Sequence, residues 1–212
     1  MEALRVISEE HRNLWRIATT IDLVADEVAA GSQVDPAFFT SIFDYIEQFM
    51  DACHHSKEDN YFFPVLRQRS EAAAVILDRL QAEHRNGPEN LKNLRAKLAL
   101  TATSGENNPA FVAALRTYTQ DLKNHIRSEE KDAMPLAREV LSAADWTEID
   151  RAFLDNNDPL FGEQAKAEFR ELFHRIANLA PDSIGLGGHS AGELKPSTAP
   201  VTGEVLLAVS GM

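Results

Sequence analysis

The chain has 212 residues, 33 acidic against 21 basic side chains for a formal charge of −12, seven His, one Cys and 44% hydrophobic residues, the make-up of a globular domain. That acidic balance, with no Lys/Arg cluster, is the wrong field for nucleic acid or an anionic membrane surface, so neither is an expected partner. One Cys builds no disulfide framework, the first residues lack the basic and apolar regions of a signal peptide, and apolar runs such as Val205 to Val209 fall far short of the roughly 20 residues that cross a bilayer; a cytoplasmic protein is expected.

Leu4, Ile7, Leu14, Ile21, Ala25 and Val28 follow the rhythm of one buried helical face, and His11 stands on it. Gly31-Ser32 ends this helix, and Asp35-Pro36 opens the next with Pro in its first turn. The second helix carries Phe39, Phe43, Ile46 and Met50 on one face and is expected to run to about Phe63-Pro64. Leu77, Leu80, His84, Leu91, Leu94 and Leu98 form a third stripe that continues across Gly87-Pro88, which predicts one kinked helix. After the polar loop Thr101 to Asn108, Pro109 opens a fourth helix with Phe111, Leu115, Tyr118, Leu122, His125 and Glu129 on its stripe. The reading is all-α: an up-down-up-down four-helix bundle over residues 1–140. Two additional helices are expected in 141–180, one near Asp145 to Leu154 behind a Ser142 cap and one near Glu163 to Leu179; the Gly/Pro-rich 181–212 reads as an irregular, flexible tail.

One pattern occurs twice, about 72 residues apart. Glu10-His11-Arg12-Asn13 returns as Glu83-His84-Arg85-Asn86, and His54 with Glu58 and Pro64 returns as His125 with Glu129 and Pro135. A His and a Glu four residues apart share one helical face. Each His stands at a matching distance from the loop joining its helix to the next, to within about a turn, so all four share one level of the bundle. A lone His on such a stripe is usually a hydrogen-bonded core residue. Four His and two Glu in one layer are different, because an apolar interior holds that many polar groups only if they pair or bind metal. Six ligands exceed what a structural zinc takes, mixed imidazole and carboxylate donors suit iron, and carboxylates on opposed helices can bridge two ions. The expected site is therefore dinuclear.

These residues resemble the hemerythrin-like (HHE cation-binding) family, whose pattern is His, His-x-x-x-Glu, His, His-x-x-x-Glu; the likeness covers about residues 1–140. It implies a non-haem centre of two oxo- or hydroxo-bridged irons, His11 and His54 on one, His84 and His125 on the other, Glu58 and Glu129 bridging. It further implies binding of O2 or a related small diatomic for storage, sensing or iron and oxidative-stress handling. Turnover of peroxide or NO at the same centre, and an iron-responsive regulatory module acting through a protein partner, are the alternatives. Oxygen-carrying hemerythrins place a fifth His four residues from that on the third helix, where this chain has Leu80 and Pro88.

Candidates for a further ligand or an outer hydrogen-bond partner are Tyr61 and Asp132, seven residues beyond His54 and His125, and His55, rotated about 100° from His54 in a regular helix. Tyr61 is the preferred one. Glu10 and Glu83 adjoin ligands but point off the stripe, which predicts solvated side chains. Leu14, Ile46, Met50, Leu80 and Leu122 are expected to keep the pocket dry. Cys53 reads as a small core residue. Glu171 and His174 have the spacing of a ferritin-like carboxylate site but lack a second copy, and His189 in the tail is expected to be inert.

Overall fold

The computed structural model describes residues 1–104 and 109–154, and every element among them is helical. Helix α1 (Glu2–Ala29) buries the predicted stripe and ends at Gly31, whose φ of 102° lets the amides of Gly31 and Ser32 bond back to Val28 and Glu27. Asp35 accepts from the Ala37 amide at 2.8 Å and, with Pro36, opens α2 (Pro36–Tyr45).

From α2 the chain stays helical through two π-helical stretches, Ile46–His55 and Glu58–Phe62, into α3 (Phe63–Arg69). The expected end near Phe63-Pro64 is therefore too early. Proline lacks an N–H and crowds the carbonyl four residues back; widening the preceding turn relieves this, and the Phe63 amide bonds to Glu58 five residues back. The second half of the repeat has the same device: α5 (Pro109–Ser128) passes into a π turn, Glu129–Ala133, where the Met134 amide bonds to Glu129 just before Pro135 in α6 (Met134–Val140). Between them, α4 (Ala74–Ser104) runs as one helix through Pro88, as the continuous stripe requires.

The helices close a ring: α1 packs on α5, α5 on α4, α4 on α2 and its π extension, and that extension on α1. Two apolar clusters fill the interior. One gathers Leu14, Ile21, Phe39, Ile42, Leu94 and Leu115 toward one end; the other gathers Ile7, Phe62, Phe63, Leu77, Leu80 and Met134 toward the other. At about 1.5–3 kcal/mol per buried large side chain, these clusters hold the polar layer between them in place.

Helix α7 (Ala143–Leu154) closes the second cluster with Trp146, Ile149 and Phe153. Ser142 caps it as expected, with Ser142 Oγ and Asp145 bonded reciprocally, and Asp145 also receives the Arg69 guanidinium at 2.7 and 3.0 Å. Asp150 accepts from the Ala3 amide, tying α7 to the start of α1. The expected helix near Glu163 to Leu179, the tail from 181, Glu171, His174 and His189 lie outside the described residues. Among the described residues, no helix is long and apolar enough to cross a membrane.

Candidate metal centre

The polar layer consists of the six repeat residues. His11 comes from α1, His54 from the π extension of α2, His84 from α4 and His125 from α5, while Glu58 and Glu129 each open a π turn. All six are buried. His11 Nε2 lies 2.9 Å from Glu129 and 4.0 Å from Glu58; His54 Nε2 lies 3.6 Å from Glu58. On the other side, His84 Nε2 is 3.7 Å from Glu58 and 3.9 Å from Glu129, His125 Nε2 is 3.4 Å from Glu129, and the two Nε2 atoms face each other at 3.1 Å. The donors fall into two overlapping sets, His11, His54, Glu58, Glu129 and Glu58, His84, His125, Glu129, in each of which the donor atoms lie within 4.8 Å of one another.

The opposite nitrogen of every imidazole meets a carboxylate from the neighbouring helix. Glu10 on α1 holds His54 Nδ1 at 2.7 Å, Asp59 holds His84 Nδ1 at 3.1 Å, Glu83 on α4 holds His125 Nδ1 at 2.7 Å, and Glu130 holds His11 Nδ1 at 3.0 Å. The order closes on itself around the four helices. Each partner carboxylate is the chain neighbour of a layer residue: Glu10 precedes His11, Asp59 follows Glu58, Glu83 precedes His84 and Glu130 follows Glu129. A carboxylate on Nδ1 fixes the tautomer and leaves Nε2 to bind a metal. Glu10 and Glu83 are thus not solvated bystanders. Glu10 is fully buried, and Lys57 Nζ at 2.8 Å offsets its charge.

Electrostatics divide the two central carboxylates. Burial pushes Glu58 well above the usual range, and the neighbouring Glu129 adds to the shift. Burial acts on Glu129 in the same direction, but His125 and His11 outweigh it and hold Glu129 well below the usual range. Correspondingly, burial depresses His125, yet Glu129 and Glu83 raise it to about 9, and Glu129 and Glu130 likewise raise His11 against its burial. His54 is held well below the ordinary value, first by burial and then by the positive charge of His11.

The layer fits a metal. Both oxygens of Glu58, both of Glu129, and Nε2 of His11 and His54 are buried without a directed hydrogen bond, a cost of about 1–3 kcal/mol per group that cations would remove. The donors are imidazole and carboxylate with no thiolate, the mixture that suits iron.

Of the further candidates, Tyr61 is 50% exposed and Asp132 is exposed, so the structure directs both away from the layer. The reason is the π turn: one extra residue per turn means that seven residues no longer return to the starting face. The same widening carries His55 inward. It is buried, with its ring stacked on His84 at 3.9 Å. Leu14, Ile46, Met50, Leu80 and Leu122 are buried on both sides of the layer as expected, and Cys53 is only partly covered.

Near His54, Lys57 lies 5.2 Å from the centre of the Phe153 ring of α7. Near His84 and His125, a cleft of about 440 Å3 opens between α4 and α5, lined by Glu83, Gly87, Tyr118 and Leu122 and floored by Met50 and His55.

Known proteins supply the context. An uncharacterized protein of Mycobacterium tuberculosis and one of Mycobacterium bovis are each 25% identical over 155 residues, covering 72% of this chain and 57% of their own length. The chain thus spans little more than half the length of these relatives. No solved structure matches it significantly. The description "Hemerythrin HHE cation binding domain" matches residues 2–137, and the chain belongs to that family.

Proposed function

We propose that the layer holds two irons in an up-down-up-down four-helix bundle of a cytoplasmic protein and binds O2 or a related small diatomic. His11 and His54 would hold one iron and His84 and His125 the other, with Glu58 and Glu129 as the carboxylates common to both donor sets. The observation that carries this reading is the pair of four-residue donor sets sharing Glu58 and Glu129. A second supporting feature is the ring of carboxylates, which presents Nε2 of each His inward. Iron, when bound there, supplies the electrons and an open coordination position. The chain does the rest. Glu58 and Glu129 balance the positive charge, the carboxylate ring orients the imidazoles, and the two apolar clusters keep bulk water from the centre. Leu80, at one of the two positions where oxygen carriers could place the fifth His, is fully buried, so it keeps one face of the layer apolar.

The cleft that reaches His84 and His125 also supports a second reading, in which peroxide or NO is turned over at this centre, since a small substrate could enter and leave by that route. Elemental analysis tests the centre itself: about two irons per chain are expected, and Glu129→Ala should lower the content of both. One zinc per chain, or full iron in Glu129→Ala, overturns the assignment. Stopped-flow mixing of the reduced protein with O2, NO and peroxide separates the readings, a stable adduct meaning binding and multiple turnovers meaning catalysis.

A further inference from the structure

His55 has the same construction as the layer histidines but lies outside both bridged sets. Its Nδ1 is 3.3 Å from Asp51 Oδ1, as His84 Nδ1 faces Asp59 at 3.1 Å and His125 Nδ1 faces Glu83 at 2.7 Å. Its two ring nitrogens are buried and make no directed hydrogen bond. The donor atoms of His55, His84 and His125 lie within 4.8 Å of one another. Nitrogens each about 2.1 Å from one tetrahedral ion stand about 3.4 Å apart, and those of His84 and His125 are already 3.1 Å apart. All three rings border the cleft between α4 and α5, whose volume of about 440 Å3 is ample for a hydrated cation.

We propose that His55, His84 and His125 form a further metal position, free of carboxylate, that takes one borderline-soft divalent cation such as Fe2+, Co2+ or Zn2+ from the cleft. To ligate, the His55 ring turns off its stack with His84; Asp51 remains beside Nδ1 as its outer partner. Three neutral imidazoles hold an ion with no anionic ligand, whereas Glu58 and Glu129 stand immediately inward. The ion is therefore held less tightly at the outer position and passes inward, which makes this position the loading step of the bridged centre. Its three ligands do not include Glu58 or Glu129, so its existence can be tested apart from the di-iron reading.

The test is Co2+ titration of full-length, metal-free protein carrying Glu58→Gln and Glu129→Gln together, followed by visible absorption and elemental analysis. One Co2+ per chain with the intense absorption of a four-coordinate site is expected. Adding His55→Phe, which keeps a ring against His84, should weaken binding by at least about tenfold, since even losing an outer partner costs about 10–100-fold, while the helical circular dichroism is unchanged. No Co2+ binding in the folded double variant, or equal binding with and without His55→Phe, overturns the proposal. Should the double variant not fold, Fe2+ uptake by otherwise wild-type protein decides: His55→Phe should slow uptake without lowering the final iron content, and equal rates overturn the proposal. A wild-type count other than two irons sinks the di-iron reading and leaves the Co2+ result standing; two irons with a failed Co2+ result sinks the loading position alone.

Discussion

Glu10 accepts from His54 Nδ1 at 2.7 Å across the seam between α1 and the π extension of α2, and it is the one fully buried member of the carboxylate ring. Its neighbour His11 points into the layer, with Nε2 2.9 Å from Glu129, so two consecutive residues of α1 serve the layer, one as a member and one as the partner of His54. Glu10→Gln keeps the shape but removes the charge that orients His54 and offsets Lys57. Iron affinity, measured by chelator competition, should fall about 10–100-fold. Wild-type affinity in that variant would show that the ring only packs.

Metal removal should destabilise the bundle, because the unpartnered oxygens of Glu58 and Glu129 are then left buried. A ligand that binds only the folded state contributes about 4 kcal/mol when present at a thousand times its Kd. Chelated protein should therefore melt well below iron-loaded protein, with the difference much reduced in Glu129→Ala. Equal melting temperatures for loaded and chelated wild type would place the metal outside the layer.

The Asp51 carboxyl faces the His55 ring, the Gly87 backbone and the Tyr118 hydroxyl, and burial, with Glu47 adding to it, pushes it up to about 6. Its folded value stands above the unfolded value of about 3.9. The folded protein thus retains a proton that the unfolded chain loses, and this group's contribution to stability falls as pH rises from about 4 to about 6, staying low above that. Asp51→Asn has no such dependence. Relative to wild type, the metal-free variant should gain about 1 kcal/mol between pH 4 and pH 7, a figure discounted for partial solvation. A difference that does not change with pH in urea melts refutes the assignment.

Most of the layer was legible because its signal is periodic: every stripe residue named on the four helices, from Leu4 to Glu129, is buried. The duplicated His and Glu spacing marked the six side chains that the fold brings together as candidate donors. Two other features were not legible, for separate physical causes. Counting seven residues from His54 to Tyr61 assumes a regular helix, and the π turns before Pro64 break that count. The six-residue spacing from Glu58 to Pro64 and from Glu129 to Pro135 was the available signal, since the repeat places the same proline behind the same Glu in both halves and a wider turn is one way a helix admits a proline, although Pro88 enters α4 without one. Glu10 and Glu83 were misplaced because a stripe describes only the face toward the centre. In a ring of helices, each also touches two neighbours, and positions flanking the stripe meet the next helix there.

Gly87 sits inside α4, where replacing Gly by Ala ordinarily gains about 0.5–1 kcal/mol. Here a Cβ would stand 3.1 Å from Asp51 Oδ1, so the carboxylate must move by a few tenths of an ångström to admit it. That displacement also disturbs the Asp51 contact with His55. Gly87→Ala alone should therefore gain less than the ordinary amount or lose stability, while the same change in an Asp51→Ala background should recover the full gain, because no carboxylate remains to be displaced. The coupling, read from urea melts of the four metal-free proteins, should be about 0.5 kcal/mol or more. Equal effects in both backgrounds would mean that the close approach of Asp51 to α4 costs nothing to relieve, and that the glycine is not what admits the carboxylate beside that helix.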